Sequence, residues 1–486
     1  MAATRDSLTR WRQPGAVAVP VLGVLVVGAL VAAVLHARDP VTTFEVAVGA
    51  LAAVAIFAIG IAARPAWTVS VGIALTIFST HWTDMGLPSS VDRIVLASGA
   101  LGVGWRELRA GRRLRTQPVH WLLLLVVIYA LTSGLLAGTL SDRQTQFVLL
   151  DRLGLIPYVM FFLAPMIYRS ERDRRVLLYV LLALGTYLGV TALVETTGPT
   201  FLVVPHYISD PALGIHFGRA RGPFLEGNAN GLALFACAVA AAMWAATSAS
   251  RARTSVARGL VVLCVLGVVL TLTRGAWIAA AIGMVLALLC TQRSRRALIP
   301  VLAVGSLMVV VALAAIPGLS ASANSRLNDQ RPIWDRENSD AAALRMVAKH
   351  PLFGFGLGEF PFESADYYRQ SPDYPLSGVR DLHSVYLDYA SELGLLGAGL
   401  WALAILGALA ASLRHRGAPN LMPWRLGLVA VAGSWMTTAA SNPQAFPFPT
   451  LLLWTWAGLV YGGSRSQDDA EEQRAAAGQS VAEVPA

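Results

Sequence analysis

The stretch Val119–Gly138, VHWLLLLVVIYALTSGLLAG, contains no acid, lysine or arginine, and it follows a basic run made of Arg106, Arg109, Arg112, Arg113 and Arg115. About 20 apolar residues in a helix cover a bilayer core of roughly 30 Å. A helix also satisfies its own backbone where no water is present to do so. The same pattern recurs along the chain. Spans are predicted at Ala16–Leu35, Phe44–Ala63, Trp67–Thr83, Arg93–Trp105, Val119–Gly138, Leu153–Tyr168, Val176–Thr196, Asn230–Ser248, Gly259–Thr273, Ala276–Cys290, Leu298–Pro317, Val385–Leu413, Leu426–Ala440 and Leu451–Gly462. The expected fold class is therefore all-α: a polytopic membrane bundle of about 12–14 helices.

Composition agrees. Of 486 residues, 55% are hydrophobic and 14% charged, against roughly 25% charged in soluble proteins. The net charge of +9 does not point to a nucleic-acid partner, because the basic residues sit in short clusters between apolar blocks, the pattern that orients membrane helices. Lys349 is the sole lysine. Cys237, Cys264 and Cys290 each lie in an apolar block without CxxC spacing and read as inert thiols. Arg5, Arg10 and Arg12 precede Ala16–Leu35, a run too long for a signal-peptide core, so a retained signal-anchor helix is expected.

The arginine clusters set the orientation. Those at 106–115, 169–175, 251–258, 293–296 and 414–416 fall on one side if fourteen spans are counted. That side reads as the cytoplasm, with both termini there and the chain in the plasma (inner) membrane. Residues 1–463 then form one transmembrane domain, and 464–486, acidic and poor in large apolar residues, a disordered cytoplasmic tail. On the opposite side lie Thr197–Asn228 and a large extracytoplasmic loop over 317–384. The latter is rich in aromatics and carries a helix-like stretch, with Asn338 or Ser339 as N-cap candidate and Leu344 and Val347 as its apolar residues.

Ionisable groups at membrane depth are costly and call for a function. Arg274 sits in the turn Thr271–Ala276. Arg219 and Arg221 lie in Gly218–Phe224, just before Asn228 and Asn230. His383 lies where the large loop re-enters the membrane. Singly, each arginine also reads as snorkelling to headgroups and the histidine as structural. Together, guanidinium forks suit phosphate oxygens, and an imidazole suits proton removal from a hydroxyl. Asp388 and Glu392, at i and i+4, share one helix face. They either orient the histidine or an acceptor, or form a polar seam between helices. Glu226 reads either as a substrate contact or as a solvated loop residue, with the latter favoured. No metal-ligand spacing, P-loop or dinucleotide fingerprint occurs, so no metal or cofactor is implied.

Four segments resemble the O-antigen ligase and polymerase family. They are Arg219–Phe224 with Asn230, Thr273–Ala276, His350–Gly358 (HPLFGFGLG), and His383–Leu387 followed by Glu392–Gly397. The resemblance covers Arg219 to Gly397; earlier spans are similar only in hydropathy. The chain has Asn228-Ala-Asn230 where the family often has Asn-Pro-Asn, and His383-Ser384 where it often has His-Asn. The resemblance implies a GT-C-like membrane fold and metal-independent, inverting transfer of saccharide from a polyprenyl-diphosphate-linked donor to an acceptor hydroxyl on a glycan, lipid or protein. It implies that Arg219 and Arg274 hold the diphosphate, with Arg221 a second arginine for the role of Arg219, and that His383 activates the acceptor. The competing readings are a transporter of an anionic or lipid-linked solute, disfavoured by the absence of an obvious inverted repeat, and a membrane scaffold.

Overall fold

The computed structural model describes residues 40–87, 90–111, 116–315, 331–369, 382–414 and 419–463, and among them there is no strand. The helices, in chain order, are α1 (Pro40–Ala62), α2 (Pro65–Leu75), α3 (Val91–Arg109), α4 (Pro118–Ala137), α5 (Arg143–Ile167), α6 (Glu171–Thr197), α7 (Gly227–Thr247), α8 (Arg251–Leu270), α9 (Arg274–Leu289), α10 (Leu298–Ala315), α11 (Arg331–Lys349), α12 (Val385–Arg414), α13 (Met422–Ala439) and α14 (447–463). The predicted span Ala16–Leu35 and tail 464–486 lie outside the described residues, as do parts of the large loop. Every other predicted span falls on one of these helices.

By length and composition, six described helices are long and apolar enough to cross a membrane: α4, α5, α6, α7, α8 and α12. Leu51–Ala62, Pro65–Phe78, Arg274–Leu289 and Leu298–Val311 are apolar but shorter. The chain is an all-α polytopic membrane protein. The predicted span Trp67–Thr83 stops early for a visible reason. The Trp82 indole N–H and the Ser79 hydroxyl both donate to the buried Asp92 carboxylate, at 2.7 and 2.6 Å. Satisfying that charge turns the chain back to the start of α3.

The chain divides into two units, residues 1–115 and 116–486. In the first, α1 and α2 pack on α3. In the second, α7 is the central helix, with Gly227–Ala241 buried on all sides, as expected of a helix apolar all round. Its alanines and glycines let α6, α8 and α13 approach closely. α9 lies along α13, and α4 lies along α12.

The large loop carries helix α11, which corrects the predicted boundaries. It already includes Arg331, so Asn338 and Ser339 are interior positions and not caps. Leu344 faces outward, whereas Ser339, Ala342, Ala343 and Met346 are buried. That face packs with Phe360 and Leu382 in a small core flanked by Phe355, Tyr367 and Leu387. This core fastens α11 to the first turn of α12.

Candidate functional site

The α8–α9 turn is nearly loopless. Leu272 adopts a left-handed conformation (φ 49°). The Thr273 hydroxyl donates to the Thr271 carbonyl at 2.9 Å, and the Trp277 indole donates to Val268 O at 2.9 Å. These contacts fix Arg274 as the first residue of α9, where the helix dipole adds to its charge.

The segment before α7 is organised around Arg221. Its side chain is fully buried and donates to the carbonyls of Leu213, Ile208 and Asp210 at 2.6, 3.0 and 3.2 Å. Glu195 lies 3.6 Å from its Nε and accepts the Gly222 N–H at 2.9 Å. The Phe217 ring faces the guanidinium at 4.9 Å. Asn230 donates to Ala220 O at 2.9 Å, and Ala220 N–H donates to Leu270 O at 3.1 Å. Arg221 thus ties this segment to residues 208–213 and to Glu195 of α6, Asn230 ties it to α7, and the Ala220 N–H ties it to the end of α8, which together hold the neighbouring Arg219 in place. Glu226, predicted to be a solvated loop residue, instead caps α7: its two carboxylate oxygens accept the N–H groups of Asn228 and Ala229 at 3.0 and 2.6 Å. Burial pushes its carboxyl above the usual range, and these two donors oppose the shift.

The structure brings Arg219, Arg274 and His383 to one cavity of about 180 Å³, with Glu226, Asn228, Ser441 and Asn442 also in its wall. The cavity also holds Arg336, on the buried side of α11, which the sequence reading missed. Its signal was helical spacing: Arg336, Asp340, Ala343 and Met346 recur every three or four residues. Burial holds the Arg336 guanidinium below its ordinary range, Arg274 adds to the effect, and Asp340 opposes it. Among the described residues, Arg219 Nε, Arg336 Nε and the Asn228 side-chain oxygen are buried without a hydrogen-bond partner. Three guanidinium groups therefore share a small cavity whose polar groups are incompletely matched by protein. Unmatched buried charge is costly, and an anionic ligand with several oxygens would relieve it.

Arg221, Asp388, Glu392 and Asn230 are not in this wall. Asp388 forms an ion pair with Arg152, whose guanidinium also donates to the Tyr389 hydroxyl at 3.1 Å and to Pro443 O at 2.8 Å. Glu392 accepts the Phe360 N–H at 3.2 Å. Both acids thus hold neighbouring segments together. Arg152 clamps the start of α12 to the turn that carries Ser441 and Asn442. No group of three or more His, Cys, Asp or Glu side chains suited to a metal occurs among the described residues.

Residues 259–402 match the family model described as O-antigen ligase. This segment is similar to the O-antigen ligase domain and covers less than a third of the chain. It runs from within α8 into α12 and includes Arg274, Arg336 and His383, while Arg219, Arg221 and Asn230 precede it. The match is to the family read from the motifs. No curated protein matches the chain.

Proposed function

We propose that the chain transfers a saccharide from a polyprenyl-diphosphate-linked donor to an acceptor hydroxyl, as a glycan ligase or polymerase, at the cavity formed by Arg219, Arg274, Arg336 and His383. The convergence of three arginines and one imidazole on a single cavity carries this reading, and the similarity to the O-antigen ligase domain supports its reaction class. The arginine clusters on the other ends of the helices favour an extracytoplasmic face for the cavity.

In the proposed step, the acceptor oxygen bonds to the anomeric carbon while the bond from that carbon to the diphosphate oxygen breaks. The electron pair leaves with the lipid diphosphate. The hydroxyl proton passes to the His383 imidazole, which later returns it to water. A single displacement of this kind inverts the anomeric centre. Arg219, Arg274 and Arg336 stabilise the charge gathering on the diphosphate, in the role a divalent ion would otherwise fill. Arg221 and Asn230 act by shaping the segment that presents Arg219.

Purified protein in liposomes with a lipid-diphosphate saccharide donor and a glycan acceptor tests the reading. Release of lipid diphosphate with glycosidic product is expected. His383→Ala should lower turnover by about 10²–10⁴-fold, and Arg274→Lys by about 10²-fold, because an ammonium does not reproduce the guanidinium fork. Full activity in His383→Ala would remove the base assignment. Donor movement across the bilayer without turnover would favour a transporter instead.

A further inference from the structure

The segment His350–Gly358 has no acidic, lysine or arginine residue, and its tip is apolar and outward-facing: Leu352 is 63% and Phe353 66% exposed. It runs beside a break in α12. Gly394 departs from helical geometry (φ 68°, ψ 177°). The break frees helix N–H groups, and the segment takes them up: Leu395 N–H donates to Pro351 O at 2.8 Å and Leu396 N–H to Leu352 O at 3.3 Å. In return, Phe355 N–H donates to Ser391 O at 3.0 Å and Gly356 N–H to Glu392 O at 2.8 Å. On the other flank, Leu357 N–H donates to the Ser133 hydroxyl of α4 at 3.1 Å, and its carbonyl accepts from Thr139 at 2.5 Å. The approach is so close that a Cβ on Gly394 would lie 2.2 Å from Leu352 O.

The depth of this contact follows from helix dimensions. Beyond the break, residues 395–414 of α12 extend roughly 30 Å at about 1.5 Å per residue, close to the thickness of the hydrocarbon core. Laid across the core, this part of α12 puts Gly394 at the hydrocarbon boundary on the His383 side. Leu352 and Phe353 stand at that level beside Leu395 and Leu396, which are 56% and 52% exposed. Leu403 and Leu406 continue the outward apolar face of α12, and Leu135 and Leu136 lie outward on α4. Non-helical backbone is tolerated at such depth only where its polar groups are met by protein, and these hydrogen bonds meet that condition.

We propose that Leu352 and Phe353 enter the hydrocarbon of the leaflet on the His383 side, so that His350–Gly356 is a re-entrant segment whose tip contacts lipid acyl chains. This inference does not depend on the transferase reading. It rests on the membrane fold, the local backbone pairing and the continuity of the apolar face with two spanning helices.

The test uses the full chain in liposomes, with Cys290→Ser removing the exposed thiol and leaving the buried Cys237 and Cys264. Phe353→Cys is spin-labelled, with Leu403→Cys as the lipid-facing reference and Glu363→Cys as the aqueous one. Collisional relaxation by oxygen and by a water-soluble nickel chelate is then measured. The label at 353 should follow Leu403→Cys, with oxygen access exceeding nickel access several-fold. A nickel-dominated response like that of Glu363→Cys would overturn the proposal by placing the tip in water. Shielding from both reagents would overturn it as well, in favour of a protein partner or a second copy.

Discussion

Replacing Arg152 with Met should be among the most destabilising single changes in the 116–486 unit. Arg152 is buried, and its guanidinium meets the Asp388 carboxylate, the Tyr389 hydroxyl and the Pro443 carbonyl while lying over the Tyr389 ring at 5.1 Å. Methionine retains much of the stem and loses all of these contacts. The larger cost is the carboxylate left behind. Breaking a buried pair from one side typically costs about 3–5 kcal/mol, because the remaining charge stays desolvated. We expect a loss of about 4 kcal/mol for Arg152→Met, close to a thousandfold in the folding equilibrium. Asp388→Leu should cost a comparable amount by stranding the guanidinium. The double variant removes both charges and should lose much less than the sum of the single changes, with a coupling of about 2–3 kcal/mol. The assay is reversible unfolding in mixed micelles, titrated with sodium dodecyl sulfate and followed by tryptophan fluorescence. Additive losses, or a loss below about 1 kcal/mol for Arg152→Met, would refute the claim that this pair clamps α12 to the 441–446 turn. They would also return Asp388 to the candidates for a direct role at the acceptor.

Four further changes have expected outcomes. Arg221→Met should prevent stable folding, since it strands Glu195 and three carbonyls at about 3–5 kcal/mol. Arg219→Met should leave the melting temperature near that of the parent while abolishing transfer, and a melting comparison of the two variants checks the division of roles. Met346→Ala opens a void in the core between α11 and α12, costs about 2–4 kcal/mol, and should raise the rate of limited proteolysis within the large loop. Gly394→Ala places a Cβ against Leu352 O at a positive φ and should destabilise the protein by more than about 2 kcal/mol, read as loss of monodisperse protein on gel filtration. The neighbouring exposed position is the control: Leu395→Ala should be tolerated.

Local pattern reaches as far as the helices and the chemistry types. Apolar blocks of spanning length identify helices because the bilayer permits few other structures, and arginine, as a permanently charged fork, is conspicuous among them. Residues whose partners are distant in sequence are harder to assign. Arg219 and Arg221 are two positions apart and chemically identical, yet one lines the cavity and the other is enclosed by carbonyls from 208 to 213. Arg152 escaped notice because the predicted span began at Leu153, whereas the helical segment begins at Arg143; its partner Asp388 lies on another helix altogether. Glu226 looked solvated because a capping role depends on where the helix starts.

The sequence by itself determined a helical membrane protein, a resemblance to the O-antigen ligase family, and a set of arginines and a histidine suited to a phosphate-bearing substrate. These follow from composition and short-range spacing, which the chain carries locally. Only the tertiary structure decided which guanidinium groups meet, that Arg336 joins them from the large loop, and that Asp388, Glu392 and Asn230 hold segments together away from the cavity. Those outcomes depend on desolvation and hydrogen-bond satisfaction between residues far apart in the chain. Neither quantity exists until the helices pack.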